Sequence, residues 1–373
     1  MGCTLLLACG AFLAALAAAE LGFRWLSPQA LLHDPDAFLP DPELGARMKP
    51  GFTDRVVTTE FSSTWSINAD GYRGPRAGER GPVSRRVLAL GDSFTFGYGV
   101  EEGQAWPRVM ERLLRDGDDP RHPQIEVLNL GVGGYGTWQE ALWLEEMAPR
   151  TRPDLVVVGF YVGNDPSDNA RATAQAGPAG APGGAEPGGF DTERVKRWLG
   201  SRLHVYAFVS TRADELLVRL GLRQLVYPFE MEILRAQEPA EVSEGWRRTQ
   251  QAFTRLAAAA RHAGVPVLMA IIPMKHQVSD AVWMRLLEHY GDGSRPADWE
   301  RERPQRLLSY MLGAEGLESI DLLEGLRREA RAAGDGSALY WPRDQHWNAR
   351  GHEAAARLIA DRVGPMLRGS GSE

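Results

Sequence analysis

Short apolar segments alternate with longer amphipathic ones along most of the chain, and this alternation most constrains the fold. The apolar segments span Arg86 to Leu90, Ile125 to Leu130, Leu155 to Phe160, Val265 to Ile272 and Leu317 to Leu322. Each has the length of a buried strand, and the segments between them carry apolar residues at helical spacing. The pattern predicts a three-layer α/β/α sandwich on a parallel sheet of about five strands, within a domain over residues 85–368.

Two regions interrupt or precede this alternation. Residues 23–84 are rich in proline and glycine and contain two β-prone segments, so we expect a small accessory segment that leans towards β-structure. Residues 171–190 consist largely of Ala, Gly and Pro, which predicts a flexible linker. Residues 191–240 then carry large apolar side chains in helical pieces, and we interpret them as an insertion that lies over the sheet as a lid.

The N-terminal segment has no charged residue from Cys3 to Ala19, a stretch of 17 residues. Residues 1–22 are therefore predicted to be an uncleaved membrane anchor. A signal peptide cleaved after Ala19, a lipoprotein signal ending at Cys9 and a buried core helix are the alternatives. The first three place the rest of the chain outside the cytoplasm, either membrane-anchored or secreted.

Composition excludes several classes of function. The net charge is −7, and no block rich in Lys and Arg is present, so nucleic acid is not an expected partner. No CxxC or HExxH motif indicates a metal site, and both cysteines lie in the first apolar segment. We therefore expect no metal, no organic cofactor and no thiol nucleophile.

Polar or glycine-rich residues follow three of the predicted strands. Ser93 follows the first, at the sheet edge where such folds bind ligands, although an N-cap serine is the plain structural alternative. Gly131 to Gly136 follow the second, where glycines let backbone approach a ligand closely. This GxGxxG spacing lacks the acidic residue of a dinucleotide site, so a nucleotide is not expected. Asn164 follows the third strand, either as an amide donor or as a turn former.

Near the C-terminus, Asp344 and His346 stand two residues apart before the last predicted helix. A carboxylate can orient an imidazole through Nδ1–H and leave Nε2 free to accept a serine proton. A lone histidine among tryptophans is more often structural. The succession of strand-end signals in one order favours the catalytic interpretation here.

These motifs together resemble the GDSL/SGNH hydrolase superfamily over roughly residues 85–170 and 245–365. The resemblance implies that Ser93 is the nucleophile, with His346 and Asp344 completing the triad. It also implies that the Ser93 and Gly134 N–H groups and the Asn164 amide form the oxyanion hole. The acid and histidine are spaced DxH instead of the usual DxxH. This D-x-H-W-N form is similar to a branch that includes polysaccharide O-acetylation proteins, and Asp41 to Gly45 resemble a segment of membrane-anchored members.

The resemblance implies an ester hydrolase or O-acyltransferase that acts on small acyl groups, such as acetyl, on an extracytoplasmic glycan. A lipid or short-chain carboxylesterase is an alternative, favoured by the apolar insertion at 191–240. An alternative from another class is a catalytically silent surface protein that binds glycan in the same groove. Protein partners are not indicated.

Overall fold

The computed structural model describes residues 2–29, 31, 37–58, 60–78, 85–115, 124–175, 192–219, 229–290, 295–334, 338–342 and 344–369. The N-terminal part contains α1 (Gly2–Leu26), β1 (Phe38–Asp41), β2 (Gly45–Met48), β3 (Thr53–Val57) and β4 (Ser62–Ser66). The main sheet contains β5 (Arg85–Gly91), β6 (Ile125–Asn129), β7 (Leu155–Tyr161), β8 (Val267–Ile272) and β9 (Glu318–Asp321).

One or more helices follow each strand of the main sheet. They are α2 (Ser93–Phe96), α3 (Trp106–Arg115), α4 (Thr137–Thr151), α5 (Asp165–Gln175), α6 (Thr192–Arg202), α7 (His204–Arg219), α8 (Phe229–Glu232), α9 (Ala240–Ala263), α10 (Lys275–Val278), α11 (Asp280–Tyr290), α12 (Arg303–Ala314), α13 (Leu323–Ala332) and α14 (Ala349–Gly369). Short 3-10 helices occupy Glu102–Gln104 and Pro296–Asp298.

The main sheet has the strand order β6-β5-β7-β8-β9, and every pair is parallel. On one side α3 and α13 pack against α14, while α4 and α5 pack against α9 on the other. The predicted three-layer α/β/α sandwich with a parallel five-stranded sheet is therefore confirmed. Strand β8 begins two residues later than predicted, because Pro266 has no N–H to donate to a neighbouring strand.

The accessory segment forms two antiparallel hairpins, β1 with β2 and β3 with β4. The second hairpin lies near the predicted strands, and the first was not predicted. Buried residues of both hairpins, such as Met48 and Trp65, join the hydrophobic core of the main domain. The accessory segment is therefore packed onto the sheet.

Helix α1 contains the whole uncharged stretch and continues through Glu20 and Arg24. Among the described residues, no helix is both long enough and apolar enough to cross a bilayer, so the predicted membrane-spanning anchor is not confirmed.

The insertion at 191–240, interpreted from the sequence as a lid over the sheet, contacts both α1 and the core of the main domain. Helix α7 packs on α1, with the rings of Phe208 and Phe23 4.7 Å apart. Glu20 also accepts hydrogen bonds from the first N–H groups of α7, at His204 (3.2 Å) and Val205 (2.9 Å). The last part, around α8, joins the core of the main domain through buried Met231.

The predicted flexible linker at 171–190 is partly helical, because α5 extends through Gln175. The rest of that segment lies outside the described residues.

Candidate active site

The carboxyl ends of β5, β6 and β7 carry three of the predicted site residues. Because β5 lies between β6 and β7 in a parallel sheet, the loops after all three strands leave at the same edge. Ser93 begins α2 directly after β5, with the Gly134 loop following β6 on one side and Asn164 following β7 on the other. The topology thus places a nucleophile candidate between two candidate hydrogen-bond donors.

A tight turn after β5 fixes the position of Ser93. The buried carboxylate of Asp92 accepts a hydrogen bond from the Phe94 N–H at 2.8 Å and so caps α2. Gly131 lies so close to this turn that a Cβ there would be 2.2 Å from the Phe96 nitrogen. Only glycine therefore allows the loop after β6 to approach the start of α2.

Ser93, His346 and Asp344 form a hydrogen-bonded chain. The Ser93 Oγ lies 2.7 Å from His346 Nε2, and His346 Nδ1 lies 2.6 Å from Asp344 Oδ1. The same Oδ1 accepts the His346 backbone N–H at 2.8 Å. One carboxylate oxygen therefore bonds both the ring and the backbone of the residue two positions on, which is how the short DxH spacing places the acid beside the imidazole.

Aromatic side chains hold the imidazole in place. The ring of Phe94 lies 4.9 Å from the His346 ring, and the ring of Tyr98 lies 4.8 Å from it. Burial would raise the pKa of Asp344, but hydrogen bonds from His346 and the charges of His346 and Lys275 outweigh it, so this pKa lies below its ordinary value. Asp344 is therefore ionised and able to orient His346 at neutral pH.

The candidate oxyanion donors are accessible. Gly134 is exposed with φ of 82°, and a Cβ built there would meet nothing within 4 Å. The Asn164 side chain is half-buried, and its Oδ1 is buried without a hydrogen-bond partner. Asn164 follows β7, a place from which its amide can donate a hydrogen bond into the site. The oxyanion role of Gly134 and Asn164 is a proposal.

Sequence reasoning missed Arg73, a buried guanidinium that braces the nucleophile turn. Arg73 donates hydrogen bonds to the backbone carbonyls of Phe96, Gly97, Val100 and Thr64 at 2.7–2.9 Å. Burial lowers the pKa of Arg73 to about 10, although nearby Glu102 and Glu101 oppose the shift, so the group still carries its charge at pH 7. A single arginine after a turn has no local pattern that distinguishes it from a surface residue.

The carboxyl groups of Asp92, Glu140 and Asp165 are buried and close enough to interact electrostatically with one another. Burial raises the pKa of Asp92 to about 6, opposed by the Phe94 N–H and by His346. Burial and the neighbouring Asp92 raise the pKa values of Glu140 and Asp165 well above their ordinary range. In the described part of the chain, no group of three or more His, Cys, Asp or Glu residues is arranged to hold a metal ion.

Comparison with known proteins gives one informative match. The model of the GDSL-like Lipase/Acylhydrolase family matches residues 89–354. No curated protein sequence matches the chain.

Several solved structures are similar at low identity. TesA is 14% identical with a TM-score of 0.40, covering 76% of this chain and 99% of its own. An acetyl xylan esterase, AlAXEase, is 13% identical with a TM-score of 0.41, over 74% and 99% of the two chains. The esterase EstA from Pseudoalteromonas sp. is 13% identical with a TM-score of 0.40, over 76% and 100%. Similarity at this level carries no information about substrate.

Replacement of Glu140 by Gln should stabilise the protein increasingly as pH rises. Because burial holds the Glu140 pKa high, the folded state keeps a proton that the unfolded chain releases above about pH 4.5, and rising pH therefore favours unfolding. A neutral amide removes that term, which amounts to about 1.4 kcal/mol per unit of pKa difference. Urea unfolding at pH 5 and pH 8 measures the effect.

The control is Glu353→Gln at an exposed position on α14, which should show no such pH dependence. An equal stability difference between wild type and Glu140→Gln at both pH values would contradict the buried, protonated state.

Proposed function

This chain belongs to the GDSL-like lipase/acylhydrolase family, and on that premise we propose that it is a serine-dependent ester hydrolase. Ser93 is the nucleophile, His346 the general base and Asp344 the carboxylate that orients the imidazole. The observation that carries the proposal is the 2.7 Å contact between Ser93 Oγ and His346 Nε2. A serine hydroxyl is a weak nucleophile at neutral pH and needs a base within this distance.

The reaction follows from the geometry of these groups. His346 Nε2 takes the Ser93 proton as Oγ bonds to the ester carbonyl carbon, and Asp344 stabilises the imidazolium that forms. His346 then gives the proton to the departing alcohol oxygen, which leaves an acyl group on Ser93. Water attacks this acyl-enzyme with His346 again accepting the proton, and free acid is released. If a sugar hydroxyl replaces water, the acyl group is transferred.

The developing negative oxygen needs hydrogen-bond donors in the same place. We assign this role to the N–H groups of Ser93 and Gly134 and to the Asn164 amide, which follow three adjacent strand ends. Each such donor contributes about 3 kcal/mol to lowering the barrier.

The proposed substrate is a small acyl ester, such as an acetyl ester, of a glycan. The D-x-H-W-N form of the histidine motif supports it, and so does Glu230 on α8. The Glu230 side chain is half-buried and close enough to His346 to interact electrostatically. A carboxyl group at that position can hydrogen-bond to hydroxyls of a sugar leaving group.

The lipid-esterase alternative loses part of its support. It relied on the apolar insertion, but Phe208 of that insertion contacts Phe23 of α1. The silent glycan-binding alternative differs from both enzymes in one respect: its Ser93 would not react with a fluorophosphonate probe.

We also propose that the catalytic domain works outside the cytoplasm. The uncharged stretch from Cys3 to Ala19 supports this location. An alkaline phosphatase fused to the C-terminus should be active in intact bacterial cells, because that reporter folds only after export. Deletion of residues 3–19 should abolish reporter activity, and an inactive full-length fusion would refute the proposal.

Ser93→Ala should reduce turnover of 4-nitrophenyl acetate by at least about 10³-fold while the protein stays folded. His346→Ala should lose a similar amount, and the double variant no more, because nucleophile and base act as one unit. Asp344→Asn should lose less than either. Steady-state kinetics and fluorophosphonate labelling measure these effects.

The matched control is Ser319→Ala, at an exposed serine of β9, which should retain wild-type turnover. Equal turnover by Ser93→Ala and wild type would rule out Ser93 as the nucleophile.

A series of nitrophenyl esters should show the highest kcat/KM with acetyl and a decline towards octanoyl. With an acetylated oligosaccharide, Glu230→Leu should lose about tenfold in kcat/KM, the value of one hydrogen bond, whereas Glu230→Gln should retain most of it. Neither variant should change turnover of nitrophenyl acetate greatly, because its leaving group has no sugar hydroxyls. A steady rise in rate towards octanoyl would favour the lipid esterase instead.

A further inference from the structure

The catalytic histidine and its acid lie between α13 and α14, where the described residues form no helix. Within that segment, Tyr340 and Trp347 form an isolated antiparallel bridge, and the Trp341 N–H donates to the His346 carbonyl at 3.0 Å. No helix or strand ladder holds Asp344 and His346 themselves. The position of His346 Nε2 therefore depends on contacts that other parts of the chain make with this catalytic loop, defined here as residues 341–342 and 344–346.

Lys275 holds one side of the catalytic loop. It begins α10, just beyond β8, and its side chain is buried. The ammonium donates hydrogen bonds to the carbonyls of Trp341 and Pro342, both at 2.7 Å. Burial of an ammonium group is costly unless its hydrogens are bonded, so the position of Lys275 is tied to these two carbonyls.

Glu60 holds the catalytic loop from the accessory segment. It lies between β3 and β4, and its carboxylate accepts the Asp344 N–H at 2.7 Å. The ring of the next residue, Phe61, lies 5.5 Å from the Trp341 ring and 5.2 Å from the Tyr98 ring. Tyr98 in turn contacts the His346 ring, so the accessory hairpin reaches the catalytic base through both a hydrogen bond and a layer of aromatic rings.

We propose that Lys275 and Glu60 are positioning residues that hold the catalytic loop so that His346 stays within hydrogen-bond reach of Ser93. The inference rests on the proposed esterase function. It makes the accessory hairpin a working part of the active site, although it precedes the catalytic motifs in the chain. Neither residue bonds the Ser93 hydroxyl or the His346 ring in the described contacts. They act by setting the geometry of the loop, where an error of about 1 Å can cost on the order of 10²-fold in rate, and Lys275 also places its charge near Asp344.

Lys275→Met keeps an unbranched side chain one atom shorter than lysine and removes both hydrogen bonds. Its kcat for nitrophenyl acetate should fall about 30-fold to 100-fold, with KM changed less than about threefold, because the reacting groups are displaced and substrate binding is not. Lys275→Arg should recover much of the loss, since a guanidinium can donate to both carbonyls. Lys49→Met, at an exposed lysine of the accessory segment, is the matched control and should behave as wild type.

Glu60 gives an independent test if Lys275→Met does not fold. Glu60→Ala should reduce kcat about tenfold, the value of about 1.4 kcal/mol, and Glu60→Gln should restore it because an amide oxygen accepts the same hydrogen bond. All kinetics are measured at least 15 °C below the lowest melting temperature, so that loss of folded protein does not contribute.

A spectroscopic measurement separates this inference from the esterase proposal. The proton between His346 Nδ1 and Asp344 should give a far-downfield NMR resonance in the wild type, whether or not any ester is turned over. That resonance should broaden or disappear in Lys275→Met and Glu60→Ala and remain in Lys49→Met. Its retention in both test variants, or a kcat equal to wild type in folded Lys275→Met and Glu60→Ala, would overturn the inference. If the wild-type protein shows the resonance but neither reacts with fluorophosphonate nor hydrolyses any ester, the esterase proposal is refuted instead.

Discussion

Parallel pairing of β5 with both β6 and β7 is the constraint on which the candidate site depends. In this register Ala89 is opposite Asn129 in β6, and Gly91 is opposite Gly159 in β7. Parallel strands cannot be joined by tight turns, so a crossover with a helix separates each strand from the next. The three strand ends are therefore far apart in sequence and adjacent in space, with Ser93 between its candidate partners.

Buried cations stabilise the irregular backbone around this sheet edge. Arg73 binds carbonyls of the segment after Ser93, and Lys275 binds carbonyls of the loop that carries Asp344 and His346. Arg86 does the same at the opposite edge, where it donates to the Thr151 carbonyl and pairs with Glu126. Loop carbonyls have no partners in a helix or a strand ladder, and a long cationic side chain can satisfy several of them while remaining bonded itself.

The accessory segment and the insertion at 191–240 contact different elements of the fold. The accessory hairpin of β3 and β4 reaches the catalytic loop through Glu60, whereas helix α7 of the insertion packs on α1. The first N–H groups of a helix have no partner within it, and Glu20 of α1 supplies that partner for α7. The apolar side chains of the insertion predict that its helices pack against another part of the protein. They do not identify which surface that is.

The sequence by itself determined the five-stranded parallel sheet, because strands buried on both faces are short, apolar and separated by amphipathic helices. It also selected Ser93, Gly134, Asn164, Asp344 and His346, since each lies in a short motif at a strand end or before the last helix. Tertiary structure alone decided that Ser93 meets His346 at 2.7 Å, where α7 docks, and that Glu60, Arg73 and Lys275 brace the site. Most of these contacts join residues that are tens to hundreds of positions apart. The sequence around a single charged residue does not indicate which distant residue it will contact.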